Sequence, residues 1–239
     1  MWMADRAAAG GDAGSVNDRA GAARTHRWSI AEREYRRQEA RLGRRHAYTD
    51  IDPEATALVV IDMVEFFLDS SPYARSIVPA VNQIAASLRR RGGLVVWVVP
   101  RSRRPTPWEV NFYGSEVAAV CAGSGGDGDP RDRLWPGLDV HPDDICIDKS
   151  ERSAFFPGSC GLPDLLSAAG VDTVVIAGTV TSVCCESSAR DASALSYRVV
   201  VVADATADIA DRPHNAALRT IYRSFGDVRP AAELLDLIG

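Results

Sequence analysis

The sequence predicts an α/β protein of three layers, in which helices cover both faces of a mainly parallel central sheet. Short runs rich in Val, Ile and Ala alternate with helical segments, which is typical of parallel strands joined by right-handed crossovers. The chain of 239 residues is long enough for one large hydrophobic core, and it shows no internal repeat. We therefore predict a single α/β domain.

The N-terminal part differs in composition from the rest. Residues 1–27 are rich in Gly, Ala and small polar side chains, which favours a flexible arm, and residues 28–239 are predicted to form a single domain that begins with a helix. A helical pattern begins at Trp28 and ends near Leu42, with Ser29 as the candidate N-cap.

Strands and helices then follow in alternation. The predicted strands are ATALVVIDM, GLVVWVV, ICIDK, DTVVIAG and RVVVVADA. The helices between and after them are predicted near Ile77–Arg90, Leu162–Ala169 and Pro213–Phe225, with another that begins near Cys184. The stretch from Pro100 to Pro142 is predicted to be a long loop that contains one short helix near Ser115–Cys121.

Three chemically active side chains follow or end strands of this sheet. Asp62 follows the first strand, Lys149 ends the third, and the loop after the fourth leads to Cys184. In open parallel sheets, ligands bind at the carboxyl ends of the strands. We therefore expect a carboxylate, an ammonium group and a thiol to meet at one edge of the sheet.

These three groups suit covalent acyl transfer. A thiol at a helix N-terminus and near an ammonium group is expected to have a lowered pKa, which would favour the thiolate of Cys184. Asp62 could accept the thiol proton and return it to a leaving amine. Cys185 should point elsewhere, because neighbouring residues on a helix face about 100° apart. Taken one at a time, each residue could instead be structural: a cap, a solvated lysine or a core thiol.

Three sequence blocks carry a resemblance to a known family. VVIDMVEFF surrounds Asp62, DKSERSAFF surrounds Lys149, and AGTVTSVCCESSARDA surrounds Cys184. From about Ala55 to the C-terminus the chain resembles the isochorismatase-like cysteine hydrolases, a superfamily that includes nicotinamidases and N-carbamoylsarcosine amidase. The resemblance implies that Asp62, Lys149 and Cys184 form a catalytic triad.

The resemblance also implies details around the nucleophile. It implies a cis peptide bond between Thr179 and Val180, and an oxyanion hole made by the backbone N–H groups of Val180 and Cys184. Nicotinamidases bind a metal through an Asp-x-His motif and a second His. The corresponding stretch here, PRSRRPTPWEVNFYG, contains no His. We therefore predict no metal and no cofactor.

The predicted function is hydrolysis of a C–N amide bond in a small molecule through a thioester acyl-enzyme. The substrate could be a cyclic amide or lactam such as that of streptothricin. The alternatives are an isochorismatase-type or ureide hydrolase, a redox-active Cys184–Cys185 pair, and a binding protein that has kept the fold. The candidate substrate-binding residues flank the three blocks or lie in the long loop: Phe67, Trp108, Asn111, Tyr113, Arg152 and Phe156.

Composition and charge favour some binding partners and one cellular compartment over others. The net charge of −5 disfavours nucleic acid as the main partner, and no apolar run approaches the roughly 18 residues that span a membrane. Five scattered cysteines and the absence of an apolar leader favour the reducing cytoplasm. The family resemblance implies a homo-oligomer, a dimer or larger, in which the Arg-rich N-terminal helix could cross to another subunit or cover its own active site.

Overall fold

The central element of the protein is a six-stranded parallel sheet. The computed structural model describes residues 23–69 and 71–239. The strand order is β3-β2-β1-β4-β5-β6, and every pair of neighbouring strands is parallel. The strands are β1 (Thr56–Ile61), β2 (Leu94–Pro100), β3 (Ile145–Lys149), β4 (Thr173–Thr179), β5 (Arg198–Ala207) and β6 (Asp227–Arg229). The direction of winding reverses between β1 and β4, so these two strands flank the topological switch point.

Helices connect the strands and cover the sheet. The N-terminal half contains α1 (Glu32–Leu42), α2 (Glu65–Leu68), α3 (Pro72–Ser76), α4 (Val78–Arg90), α5 (Pro107–Tyr113) and α6 (Ser115–Ala122). The C-terminal half contains α7 (Leu162–Ala168), α8 (Glu186–Ala194), α9 (Asp211–Ser224) and α10 (Ala231–Ile238).

Two hydrophobic clusters lie on opposite faces of the sheet. Successive side chains of a strand point to opposite faces, so Leu58 and Val60 of β1 pack with α4 and α10. Ala57 and Val59 of the same strand pack with α7, α8 and α9. All six residues of β1 are buried, as expected for a central strand covered on both faces. The predicted three-layer α/β fold is confirmed.

Two parts of the chain contain more regular structure than the sequence predicted. The stretch from Pro100 to Pro142, predicted as a loop with one short helix, contains both α5 and α6. The chain also continues beyond α9 into β6 and α10, which the sequence analysis did not identify. β6 has three residues, too few for an alternating pattern to be visible in the sequence.

The predicted start of the first helix is wrong. α1 begins at Glu32, and its N-cap residue, Ala31, has no side chain that could cap it. Ser29 lies in an extended segment instead, where its backbone N–H donates to the side-chain oxygen of Asn215 on α9.

Of the predicted arm, residues 1–22 lie outside the described residues. His26, near its end, is buried against the domain.

Helix α1 packs on its own chain. The ring of Tyr35 lies edge-on to Tyr222 of α9, at 5.4 Å between ring centroids.

Within residues 23–69 and 71–239, no helix has the length and the apolar character that a bilayer crossing demands.

Candidate active site

Asp62, Lys149 and Cys184 lie together at the carboxyl ends of the strands, as the sequence predicts. The Lys149 Nζ atom is 2.9 Å from Oδ2 of Asp62 and 3.7 Å from Sγ of Cys184. It also donates to the carbonyl oxygen of Glu151 at 3.1 Å. The exposed fractions of Asp62, Lys149 and Cys184 are only 1%, 3% and 8%. An ion pair and a thiol therefore share a site that is almost removed from solvent.

The end of β1 holds Asp62 in an unusual backbone conformation. Its φ is +55°, in the left-handed region that Asp tolerates better than most residues. Its backbone N–H donates to the carbonyl of Val98 at 2.8 Å, and its own carbonyl accepts from the Thr179 hydroxyl at 2.8 Å. These bonds tie Asp62 to both neighbouring strands.

Gly178 allows β4 to approach β1 closely beside the site. A Cβ at this position would lie 2.1 Å from the carbonyl oxygen of Ile61, and the φ of +107° is also unfavourable for other residues. The glycine therefore lets the chain that carries the nucleophile pass directly against the residue that precedes Asp62.

Cys184 lies in an irregular turn between β4 and α8. The peptide bond between Thr179 and Val180 is cis. Residues Thr181–Cys185 then form a π-helical turn that continues into α8. The backbone N–H of Ser182 donates to Oδ2 of Asp208 at 2.7 Å, which caps the first part of this turn. Single π turns of this kind are frequently found at functional sites.

A stack of three rings supports the nucleophile turn from the side of the N-terminal segment. His26 lies between Tyr73 and His214, with ring centroids at 4.0 Å and 4.2 Å. Its Nδ1 atom is 2.8 Å from Oδ1 of Asp211, and its Nε2 atom accepts from the backbone N–H of Asp208 at 3.0 Å.

His214 links this stack to the turn that contains Cys184, because its Nδ1 atom is 2.9 Å from the hydroxyl oxygen of Thr181. Burial lowers the pKa of His214 to about 3, so this ring is neutral at physiological pH. The contacts of His214 with Thr181 and His26 are therefore structural ones.

The expected low pKa of the nucleophile is wrong. Burial, and after it the negative charge of Asp62, raise the pKa of the Cys184 thiol to about 12, which the ammonium group of Lys149 only partly offsets. Burial also raises the pKa of Asp62, while Lys149 lowers it. Burial alone would lower the pKa of Lys149, but attraction to Asp62 and Cys184 outweighs burial and raises it. In the resting site Cys184 therefore holds its proton.

Cys184 and Cys185 have different surroundings. Both are free thiols, and Cys184 lines the cavity described below. Cys185 is wholly buried in the hydrophobic cluster with α7, α8 and α9, and it is absent from the cavity lining. Burial raises the pKa of Cys185 well above its ordinary value. The two neighbouring cysteines thus differ in access to a ligand.

A cavity of about 540 Å³ opens onto the three residues. Its volume lies within the range of pockets that bind small organic ligands. Of the predicted substrate-binding residues, Phe67, Tyr113 and Arg152 line it. Trp108, Asn111 and Phe156 do not. Trp108 and Phe156 are 54% and 51% exposed, and Asn111 is exposed as well.

The cavity wall also contains residues that the sequence analysis did not single out. Arg103 forms a two-pronged ion pair with Glu109, at 2.6 Å and 2.8 Å. The Glu109 carboxylate also accepts a hydrogen bond from the backbone N–H of Thr106. In return, the Thr106 hydroxyl oxygen accepts one from the backbone N–H of Glu109, and the two bonds form a capping box at the start of α5. The pattern Thr-x-x-Glu after Pro105 is a recognised sequence signal and could have located this helix.

Metal binding can be assessed from the clustering of ligand side chains. Within the described part of the chain, no group of three or more His, Cys, Asp or Glu side chains is arranged to hold a metal ion.

Comparisons with known proteins show the family to which the chain is similar. The isochorismatase domain family matches residues 56–233. A maleamate amidohydrolase from Pseudomonas putida is 33% identical over 177 residues, which cover 72% of this chain and 81% of the relative. A probable inactive nicotinamidase from Arabidopsis thaliana is 36% identical over 173 residues, covering 67% and 85% of the two chains.

A solved structure extends the similarity to the fold. The crystal structure of a cysteine hydrolase from Pseudomonas syringae pv. phaseolicola superposes with a TM-score of 0.70 at 26% identity. It covers 81% of this chain and 96% of the other.

Proposed function

Because the chain belongs to the isochorismatase family of hydrolases, we propose that it cleaves the C–N bond of a small-molecule amide through a thioester at Cys184. One observation carries this proposal: the Asp62–Lys149 ion pair lies beside a buried thiol at the end of an open cavity. The name of the maleamate amidohydrolase relative describes amide hydrolysis, which supports the same class of reaction.

Asp62 is the proposed acid and base. Its carboxylate is buried between both partners: Oδ2 forms the ion pair with Lys149 at 2.9 Å, and a side-chain hydrogen bond joins the carboxylate to the Cys184 thiol, which gives the thiol proton a direct path. As the sulfur attacks the amide carbon, the Cys184 proton passes to Asp62, and the new carboxyl group then protonates the leaving nitrogen. The C–N bond breaks and leaves a thioester. Water activated by Asp62 then hydrolyses the thioester and restores the thiol.

Lys149 has an electrostatic part in this scheme. Its ammonium group lies within 4 Å of both Asp62 and Cys184, and it keeps its charge because its pKa is raised. The positive charge stabilises the sulfur while it carries negative charge during attack. The high resting pKa of Cys184 fits a mechanism in which the proton leaves only when substrate is attacked.

The backbone N–H groups of Val180 and Cys184 are the proposed oxyanion hole. They belong to the turn that follows β4, in which Val180 lines the cavity next to the nucleophile. Donors of this kind contribute roughly 2.7–4 kcal/mol each to the stabilisation of a tetrahedral intermediate.

The finer choice of amide is tested with a panel. It contains linear amides, ureides, cyclic amides and lactams, the streptothricin lactam included, and each compound is offered to wild type, Cys184→Ala and Cys185→Ala. We expect turnover to vanish in Cys184→Ala, to persist in Cys185→Ala, and to be indifferent to chelators. Equal loss in both cysteine variants would instead favour the redox-pair alternative. Binding without turnover of any compound would favour a ligand-binding protein.

A further inference from the structure

The segment that precedes α1 lies against the active site although it is outside the matched domain. Residues 23–31, the N-terminal segment, contain no helix or strand, and the family match begins only at residue 56. Asn215 of α9 fixes this segment, because it accepts from the backbone N–H of Ser29 at 2.7 Å and donates to the carbonyl oxygen of Arg27 at 2.9 Å. The segment therefore has a defined place beside the helix that follows β5.

Two hydrogen bonds determine which nitrogen of His26 carries the ring proton. Its Nε2 atom accepts from the backbone N–H of Asp208 at 3.0 Å, so this nitrogen must present a lone pair. The carbonyl oxygen of the same residue lies 3.2 Å from Nε2. The proton is then on Nδ1, 2.8 Å from Oδ1 of Asp211, and this carboxylate favours that tautomer. His26 is buried, so its bond to Asp208 is protected from water.

Asp208 connects this ring to the nucleophile turn, Thr181–Cys185. Its Oδ2 atom accepts from the backbone N–H of Ser182 at 2.7 Å, and its Oδ1 atom accepts from that of Ile209 at 2.8 Å. The residue is buried and lines the cavity. Its backbone is therefore held by His26, and its side chain holds the turn two residues before the nucleophile.

The bond to Asp208 joins the nucleophile turn to a separate part of the chain. Two other backbone N–H groups of the turn donate to the carbonyl oxygen of Val180, at 3.0 Å and 3.3 Å, so those bonds are local. The N–H of Ser182 instead reaches the residue that follows β5. Since a shift of about 1 Å in a reacting group can cost roughly 100-fold in rate, a support at this point can control the direction of the Cys184 thiol.

We propose that His26 is a positioning residue that acts on Cys184 through Asp208. By accepting from the backbone N–H of Asp208, it holds the carboxylate of that residue against the N–H of Ser182. This fixes the turn that presents the thiol and the N–H groups of the oxyanion hole. The inference rests on the proposed amidohydrolase function and gives a part in it to a segment outside the matched domain. The two stacked rings keep His26 in place, and its hydrogen bond transmits the position.

The test separates the hydrogen bond of His26 from its stacking. His26→Phe keeps a flat ring between the two aromatic neighbours but cannot accept from Asp208, whereas the amide oxygen of His26→Gln can occupy the place of Nε2 and accept that bond. Asn215→Ala is the matched control, because it removes two hydrogen bonds of the same segment and leaves His26 and Asp208 unchanged. For an amide that wild type hydrolyses, kcat and KM are measured at a temperature where urea unfolding shows every variant to be folded.

We expect His26→Phe to lower kcat by roughly 10- to 100-fold with little change in KM, because the cavity remains while the geometry of attack is lost. His26→Gln should recover most of kcat, and Asn215→Ala should keep it, even though both variants lose stability. A merely structural role would leave kcat of every folded variant close to that of wild type, or would lower it in proportion to the lost stability. Either result would overturn the proposal.

Hydrogen exchange separates this inference from the proposed function, because it requires no turnover. Mass spectrometry follows deuterium uptake in a proteolytic fragment that contains Ser182 and in one from β1, which is the internal reference. His26→Phe should speed exchange in the first fragment by roughly 10-fold or more while β1 stays protected, and His26→Gln and Asn215→Ala should not. This result supports the positioning of the turn even if no amide is hydrolysed. Unchanged exchange in His26→Phe, or equal acceleration in all three variants, contradicts it.

Discussion

The protonated resting thiol leads to an unusual prediction about Asp62→Asn. Removing a catalytic base normally makes a cysteine enzyme less reactive in every assay. Here the negative charge of Asp62 is the largest cause after burial that raises the pKa of Cys184, and Lys149, 3.7 Å from the sulfur, is retained in this variant. We therefore expect Asp62→Asn to lose amide turnover while its thiol becomes easier to alkylate.

The size of the effect follows from the pKa values. A thiol with a pKa of about 12 is thiolate in roughly one molecule in 10⁴ at about pH 8, against about a quarter for a free cysteine. A nearby charge shifts a pKa by roughly 1–3 units. Loss of the Asp62 charge should thus raise the thiolate fraction, and with it the alkylation rate, by roughly 10- to 1,000-fold.

Iodoacetamide labelling measures this directly. Digestion and fragment-ion mass spectrometry follow the modification of Cys184 separately from Cys185 as a function of time and pH. Asp236→Asn, an exposed carboxylate removed far from the site, controls for net charge, and Lys149→Met should label more slowly than wild type. Rapid labelling of the wild-type thiol near pH 7, together with slower labelling of Asp62→Asn, would refute the reasoning.

Three further predictions concern stability, each measured by urea unfolding. Glu109→Gln leaves Arg103 without its carboxylate and should cost about 2 kcal/mol; because the folded pKa of Glu109 is about 2, below its ordinary 4.5, the wild-type advantage should be full above about pH 4.5 and disappear as pH falls towards 2. A pH-independent difference would contradict this. His26→Ala removes one ring that stacks on two others, together with a buried and a part-buried hydrogen bond, and should cost about 2–4 kcal/mol, whereas a loss below about 0.5 kcal/mol would mean that the N-terminal segment does not support the domain. Gly178→Ala should cost more than about 3 kcal/mol or prevent folding, while Gly158→Ala, which also has a positive φ but open space around it, should cost much less; similar losses would show that the close approach is unimportant.

The sheet and the meeting of the three site residues could be predicted from the sequence because both depend on simple patterns. Buried parallel strands are short runs of β-branched residues, and their carboxyl ends share one edge. Asp62, Lys149 and Cys184 each stand at such an end, so their proximity follows from topology without any side-chain detail.

The properties that escaped prediction depend on three-dimensional context. A low pKa for Cys184 was expected from the helix N-terminus and Lys149, but the extent of burial and the proximity of Asp62 decide the pKa, and neither is visible in the sequence. Likewise, the place of Arg152 and the position of Trp108 outside the cavity lining depend on how α5 packs beside the site.

The N-terminal segment shows the same limit. Its composition favours a flexible arm, yet His26 is buried because Tyr73 and His214, which are distant in sequence, offer flat partners on both sides of its ring. Composition describes the average tendency of a segment and does not indicate that a single side chain, here His26, is buried by distant residues.

The central claim is that one thiol carries the acyl group. Intact-mass spectrometry of enzyme quenched with acid during turnover of a slowly hydrolysed amide tests it most directly. The account predicts a mass increase equal to the acyl group, located on Cys184 and removed by hydroxylamine, present in Cys185→Ala and absent in Cys184→Ala. Undiminished turnover by Cys184→Ala, or the adduct on Cys185, would contradict it.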